Sequence, residues 1–286
     1  MAMWSHSHWR DSLYRGQSIS SRRLSHYAEV FNTVEGNTTF YATPSPASVE
    51  DWRRAVPDDF RFTFKFPQEI THKKQLQNCA TDVRTFLQRM EPLMEKTGLW
   101  KIQLPSFFSP QALPLLQQFI QQLPKEMKIG VEVRHIAFFA KGEEERCLNR
   151  LLMDTAVNRI IMDSRPVFAA PASSPEVIDA QMKKPRVPVH AIATGQHPMI
   201  RFIGHPDLAA NDEFFQKWID KLCNWIDQGL QPYLFVHTPD NIAAPELAHR
   251  LYQQLNQAWQ LKGHDALPGL KALNQASATN QLGLGL

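Results

Sequence analysis

Seven short segments of the chain carry strand-like alternation, and each ends in polar or charged residues on one phase of it. They are FNTVEGN (31–37), RFTFKFP (61–67), LWKIQLP (99–105), KIGVEVR (128–134), RIIMDSR (159–165), MIRFIGH (199–205) and YLFVHT (233–238). Successive side chains on a strand point to opposite faces. One phase is apolar and is expected to meet packing helices: Phe62, Phe64 and Phe66, then Trp100, Ile102 and Leu104, then Val131 and Val133. The other carries Glu35, Lys65, Gln103, Glu132, Arg134, Asp163, Arg201 and His237.

Helical patterns lie between these segments. Ser45–Pro46 is an N-cap and first helical position, predicting a helix over 46–56. Val83, Phe86, Leu87, Met90, Leu93 and Met94 have helical spacing over 80–97, with Pro92 as a kink or division and Gly98 as the stop. Ser109–Pro110 repeats the start signal, and further helices are predicted over 143–156, 211–228 and 244–259. The aromatic stripe of the 211–228 helix, with Phe214, Phe215, Trp218 and Trp225, is expected to pack on the sheet. Strands alternating with helices predict βαβ units and a parallel sheet. A barrel of such units gathers the polar phase at its C-terminal mouth.

The 286 residues suit one α/β barrel domain, taken as 1–263, with 264–286 as a C-terminal tail lacking periodicity. The connection 164–198 is long, rich in proline and small residues, and carries Lys183, Lys184 and Arg186; its length suits either a lid or a surface excursion with a short helix near 175–182. A net charge of +3 neither requires nor excludes a polyanionic partner. Three scattered cysteines, Cys79, Cys147 and Cys223, predict reduced thiols rather than a disulfide framework. With no secretory h-region and no membrane-spanning run, a soluble cytoplasmic protein is expected.

The segments VEGNTTFY (34–41), FKFP (64–67), QLP (103–105), VEVRH (131–135) and KKPRVPVH (183–190) together resemble the YecE-like family, a bacterial domain of unknown function, number seventy-two in its series. The resemblance covers roughly Trp4 to residue 260 and implies a TIM-barrel-like parallel (β/α) barrel. It implies no reaction. It does draw attention to Glu35, Asn37, Thr38, Tyr41, Lys65, Gln103, Glu132, Arg134 and His135. Family members begin with a short apolar strand before the W-x-H-x-x-W segment that Trp4, His6 and Trp9 match. Only Met1–Ala2–Met3 precede it here, so the first barrel strand is expected to be short or missing.

The charge balance at the expected mouth separates the chemistries. Glu35, Glu132 and Asp163 face Lys65, Arg134 and Arg201, with Lys101 a further cation if it points inward. Such a balance suits an anionic ligand gripped by arginine and lysine better than a divalent cation. No cofactor is predicted. A divalent-metal site stands as the alternative, with Glu35, Glu132, Asp163 and His237 as ligands. In the catalytic reading, Glu35 or Glu132 is the general base, Lys65 or Arg134 orients the other, and His237 gives a proton. Asp163 completes the catalytic set. Asn37, Thr38, Tyr41, Gln103, Arg134, His135 and Arg201 bind substrate. The chain is thus expected to be a barrel enzyme acting on a small phosphorylated or sugar-like anion by acid–base or hydrolytic chemistry.

Two alternatives remain open at this point. One is a nucleic-acid-binding or nucleic-acid-processing protein, using the basic loop and Trp4 and Trp9 for stacking. The other is a non-catalytic small-molecule binder using the same mouth. Pairing of the mouth charges with one another would be the purely structural outcome. Neither the substrate nor the oligomeric state is written in the sequence.

Overall fold

A computed structural model describes residues 1–14, 16, 22–271 and 273. All seven expected segments are strands: β1 (Thr33–Gly36), β2 (Arg61–Lys65), β3 (Thr97–Gln103), β4 (Ile129–Glu132), β5 (Asn158–Asp163), β6 (Met199–Ile203) and β7 (Tyr233–His237). They are parallel and pair in sequence order from β1 to β7. Among the described residues eight helices of at least two turns accompany them: α1 (Arg23–Val30), α2 (Pro46–Ala55), α3 (Ala80–Met90), α4 (Leu113–Gln121), α5 (Glu143–Asp154), α6 (Pro175–Lys183), α7 (Asp212–Asp227) and α8 (Ala244–Leu261). The architecture is a TIM-barrel-like α/β barrel that is nearly closed.

Local chemistry sets the helix ends. Ser45 Oγ accepts from Ser48 N ahead of Pro46, and Ser174 Oγ accepts from Val177 N ahead of Pro175. Helix α3 stops at Met90 rather than running to Gly98. Pro92 falls in a separate 3-10 turn, Glu91–Leu93, and β3 already begins at Thr97. Gly98 is therefore a strand residue, not a helix stop. It faces the Tyr233 hydroxyl, which a Cβ at that position would meet at 2.0 Å.

The outward phase of the sheet makes the core. Phe62, Phe64, Phe66, Trp100, Ile102, Leu104, Val131 and Val133 are buried with Phe86 and Met90 of α3 and Leu116 and Phe119 of α4. Phe62 stacks on Phe64 at 5.1 Å, and Phe66 meets Phe119 edge-on at 5.6 Å. In the second half, Ile161, Ile200, Phe202 and Val236 pack on Phe215, Trp218 and Leu222 of α7 and Leu251 of α8. Each such side chain contributes about 1.5–3 kcal/mol on burial. Inside the barrel, Leu99, Ile160, Met199 and Phe235 form an apolar plug towards the N-terminal ends of the strands. That plug is the floor of the charged layer described below.

No strand pairing joins β7 to β1 among the described residues. The seam is bridged otherwise. Glu35 N donates to Met1 O at 2.9 Å and Asn37 Nδ2 to Ala2 O at 2.8 Å, so the first residues lie along the free edge of β1. Trp9 Nε1 donates to Asn241 O and Ile242 O beyond β7. At the N-terminal foot of the seam is a cavity of about 570 Å³, lined by Met1, Thr33, Tyr233, Leu234 and Val236 and flanked by Leu267 and Leu270. Of the expected tail, residues 264–270 form no regular element, yet His264 stacks on Trp259 and Tyr252 Oη donates to Leu267 O at 2.9 Å. Residue 272 and residues 274–286 lie outside the described residues. No helix of the described residues is long and apolar enough to cross a membrane, and Cys79, Cys147 and Cys223 are free thiols.

Candidate functional site

The inward phase at the C-terminal ends of the strands builds a buried charged layer above the apolar plug. Glu35 ends β1, Lys65 ends β2, Lys101 and Gln103 end β3, Glu132 ends β4, Arg201 lies on β6 and His237 ends β7. All seven are at most 8 % exposed. Room for side chains this long comes from small neighbours: Lys101 lies opposite Gly130 in register, and Glu35 opposite Thr63. A Cβ at Gly130 would meet Leu99 Cδ2 at 2.7 Å and Ile160 Cγ1 at 3.1 Å.

Glu35 is the hub. Its Oε1 accepts from Lys101 Nζ and from Arg201 Nε, both at 2.7 Å, and its Oε2 accepts from Arg201 Nη2 at 3.3 Å. His237 Nε2 approaches Oε2 at 3.1 Å, outside hydrogen-bond alignment. Arg201 also donates through Nη1 to Glu132 Oε2 at 2.9 Å, which joins the two carboxylates. Glu132 Oε1 accepts from Arg134 Nε at 3.0 Å and Nη2 at 2.9 Å. Lys65 differs from the rest: its Nζ donates at 2.8 Å to the neutral Gln103 Oε1, and it forms no ion pair among the described residues.

Ionisation follows from this arrangement. Burial alone would push the Glu35 carboxyl up, but Arg201 and Lys101 outweigh it and hold the group well below the usual carboxylate range. Glu132 is likewise depressed, burial being opposed by Arg201 and Arg134. Burial drives Lys65 well below the ordinary lysine value, and the nearby positive charges of Arg201 and Lys101 drive it further. Burial also lowers His237 to about 3, against the pull of Glu35, so this imidazole is neutral at physiological pH.

The long connection after β5 closes over the layer. It contains one turn at Arg165–Ala169, then α6, and from residue 184 runs without regular structure to β6. Ser164 Oγ donates to Pro185 O at 2.8 Å and Gln181 Nε2 to Val167 O at 2.8 Å, which hold it down. Lys184, partly buried, is brought within electrostatic range of Arg201, Glu35 and Glu132. Its side chain has no hydrogen bond or ion pair among the described residues. Burial first, and Arg201 next, lower it to about 8.

Several expected site residues fall elsewhere. Asp163 faces outward, not into the mouth: its Oδ2 accepts from Trp218 Nε1 of α7 at 2.8 Å, and Arg165 grips both oxygens. On β5 the inner phase is Ile160 and Met162, which join the plug and the wall above it. With Asp163 turned away, the four proposed metal ligands do not converge. Among the described residues no three His, Cys, Asp or Glu side chains are placed to hold a metal ion. His135 caps a short turn, its Nδ1 accepting from Ala137 N at 3.3 Å. Asn37 holds Ala2, and its Oδ1 is buried without a hydrogen bond. Thr38 and Tyr41 are exposed on the turn after β1.

The features assigned to nucleic-acid stacking are also used otherwise. Trp9 is 1 % exposed, and Trp4 packs edge-on against Trp52 and Phe62. Lys183 pairs with Asp179 on α6, and Arg186 lies over Phe168. The sequence reading missed Phe40 and His72. Phe40 lies 5.4 Å beneath the Lys65 ammonium position and meets His72 edge-on at 5.0 Å. It also missed Thr39, whose Oγ1 donates to Lys65 O at 2.8 Å and fixes the end of β2. The NTTFY string holds both, but the sequence draws attention only to its Asn37, Thr38 and Tyr41.

Comparison with known proteins places this geometry in a family. Residues 1–271 match the family model described as protein of unknown function DUF72. Two Escherichia coli proteins, each called UPF0759 protein YecE, are 50 % and 49 % identical to the chain over 257 residues, spanning 90 % of it and 92 % of each relative. A crystal structure of a DUF72 family protein from Thermotoga maritima superposes with a TM-score of 0.67 at 22 % identity, over 89 % of this chain and 97 % of that one. One from Enterococcus faecalis superposes at 0.65 and 21 % identity, over 84 % and 95 %. At those identities the two structures speak to the fold alone.

Proposed function

The chain belongs to the DUF72 family of proteins of unknown function, and we propose that it is an enzyme taking a small anionic compound, phosphorylated or sugar-like, at the C-terminal mouth of its barrel. The observation that carries this reading is the imbalance of the charged layer. Lys65, Lys101, Arg134, Lys184 and Arg201 surround two carboxylates, Glu35 and Glu132, and neither Lys65 nor Lys184 has a carboxylate of its own. A phosphate or carboxylate arriving from solvent meets Lys184 and Arg134 first, since these two are only partly buried. The planar fork of Arg134 suits bidentate contact with either anion.

The same step would free a base. Arg134 occupies Glu132 Oε1. Once Arg134 turns to the ligand, that oxygen is left to move a proton, while Arg201 keeps the carboxylate in place through Oε2. Glu35, held by Lys101 and Arg201, serves as the anchor rather than the base. The unpartnered Asn37 Oδ1 is suited to orienting a hydroxyl.

The test is turnover. The purified protein is incubated with panels of phosphorylated and carboxylated sugars and acids, with and without chelator, and depletion is read by mass spectrometry. The proposal expects a compound consumed by the wild type and consumed about a hundredfold more slowly by Glu132→Gln. Equal rates in the variant, or no consumption of any compound, would overturn it. Loss of turnover on chelation would move the reading to the metal-dependent alternative.

A second reading is favoured by one observation. Tyr41 and Phe107, on the segments after β1 and β3, are 74 % and 60 % exposed at the same end of the barrel. Two exposed rings near a cationic mouth suit stacking of bases from a single-stranded nucleic acid. Oligonucleotide binding that falls steeply with salt and weakens in Tyr41→Ala would support it.

A further inference from the structure

We infer that Lys65 is a nucleophile that forms an imine with an aldehyde or ketone bearing a carboxylate or phosphate, so that the substrate class of this mouth is an anionic carbonyl compound. The inference rests on the anion-site reading above and deepens it. Its basis is the partner set of Lys65. Every other fully buried cation in the layer is neutralised: Lys101 by Glu35, and Arg201 by Glu35 and Glu132. Lys65, 8 % exposed, is offered only the amide oxygen of Gln103 and the face of Phe40. A buried amine without an ion-pair partner sheds its proton easily, since burial and the charges of Arg201 and Lys101 outweigh the pull of Glu132 and Glu35. The free lone pair is what carbonyl addition requires.

Position agrees with that role. Lys65 is the last residue of β2, its carbonyl fixed by Thr39, with Gln103 setting the direction of the amine. Arg134 and Lys65 both act electrostatically on His72, and Lys184 lies within electrostatic range of Arg134, so Arg134 and Lys184, both partly buried, are the cations that would hold the anionic group of the compound. In the reaction, the Nζ lone pair attacks the carbonyl carbon and a C–N bond forms. One N–H proton passes to the oxygen, giving a carbinolamine. The C–O bond then breaks, the second N–H proton leaves with it, and the products are the imine and one water. Glu132, which interacts electrostatically with Lys65, is placed to relay these protons. The sequence of bonds needs no oxidant or reductant.

Borohydride trapping tests this. The wild type, Lys65→Met and Lys183→Met are each treated with pyruvate or dihydroxyacetone phosphate and then borohydride, and lysine adducts are mapped by peptide mass spectrometry. Melting temperatures are recorded in parallel with the same compounds and with lactate and glycerol 3-phosphate, which carry the anion but no carbonyl. The expected result is an adduct on Lys65 roughly tenfold or more above that on the surface residue Lys183. It disappears in Lys65→Met and persists in Lys183→Met, whose melting curves show that both variants fold. Protection by lactate equal to that by pyruvate, with no adduct on Lys65, would overturn the imine and leave the anion site standing. Absence of both protection and adduct would overturn the two together. Adducts spread over surface lysines alone would also overturn the imine.

Discussion

The protein buries two ionic clusters on opposite faces of its sheet, and they are built to different rules. Outside the barrel, Arg159 of β5 donates to Glu145 Oε1 at 2.9 Å, to Asn149 Oδ1 at 2.6 Å and to Phe138 O at 2.8 Å. Glu145 also takes His190 Nδ1 at 2.6 Å and Lys141 N at 2.9 Å. Acceptors match donors, and α5 and the connection after α6 are thereby pinned to β5. Inside the barrel, donors outnumber acceptors. Two carboxylates are shared by Lys101, Arg134 and Arg201, and Lys65 and Lys184 are left over. A saturated cluster reads as scaffold. An unsaturated one, with Arg134 and Lys184 only partly buried, is what the proposed anion site requires.

That contrast can be broken or sharpened by substitution. The largest effect is expected at the hub: Glu35→Ala strands Lys101 and Arg201 as buried cations and should cost about 5 kcal/mol, read from denaturant unfolding. Next comes the outer cluster, where Arg159→Met strands Glu145 and should cost about 3 kcal/mol. Lys65→Met should go the other way. It removes a buried amine with no charged partner, so stability should rise by about 1 kcal/mol while function is lost. A large loss of stability at Lys65 would instead make the inner layer as structural as the outer one.

The last effect is one of pH. His237 binds its proton at about 3 in the fold and near 6.5 when unfolded, so the unfolded chain holds more protons between those values. Stability from this group is complete above pH 6.5 and is lost as pH falls towards 3. Glu35 and Glu132, also depressed, add their loss as pH falls through the ordinary carboxylate range and below it. Between pH 6.5 and 5, His237→Gln should therefore show a shallower decline in melting temperature than the wild type. An unchanged slope there would mean that His237 is charged in the fold.

The strands were legible because in β2 and β3 the apolar and polar phases differ at every step, from Phe62 to Phe66 and from Trp100 to Leu104. The same clarity put Glu35, Lys65, Gln103, Glu132, Arg201 and His237 on one face, and Lys101 joins them. Asp163 was misplaced for a physical reason. The β5 segment NRIIMD is buried on both faces, so Ile160, Ile161 and Met162 give no phase and the charge at its end could point either way. Lys184 was visible only as part of a basic triplet. Its place over the mouth depends on how α6 and the Ser164–Pro185 contact return the connection, which no local pattern records. Trp4 and Trp9 signalled aromatic surface, but packing against Trp52 and the β7 end claimed them.

The most direct test of the anion site is the melting temperature as phosphate replaces chloride at constant ionic strength, in the wild type and in Arg134→Ala with Lys184→Ala. A ligand bound only by the folded state raises the melting temperature with its concentration. The account predicts a phosphate-specific rise in the wild type that vanishes in the double variant. An equal rise in both, or none in the wild type, would contradict it.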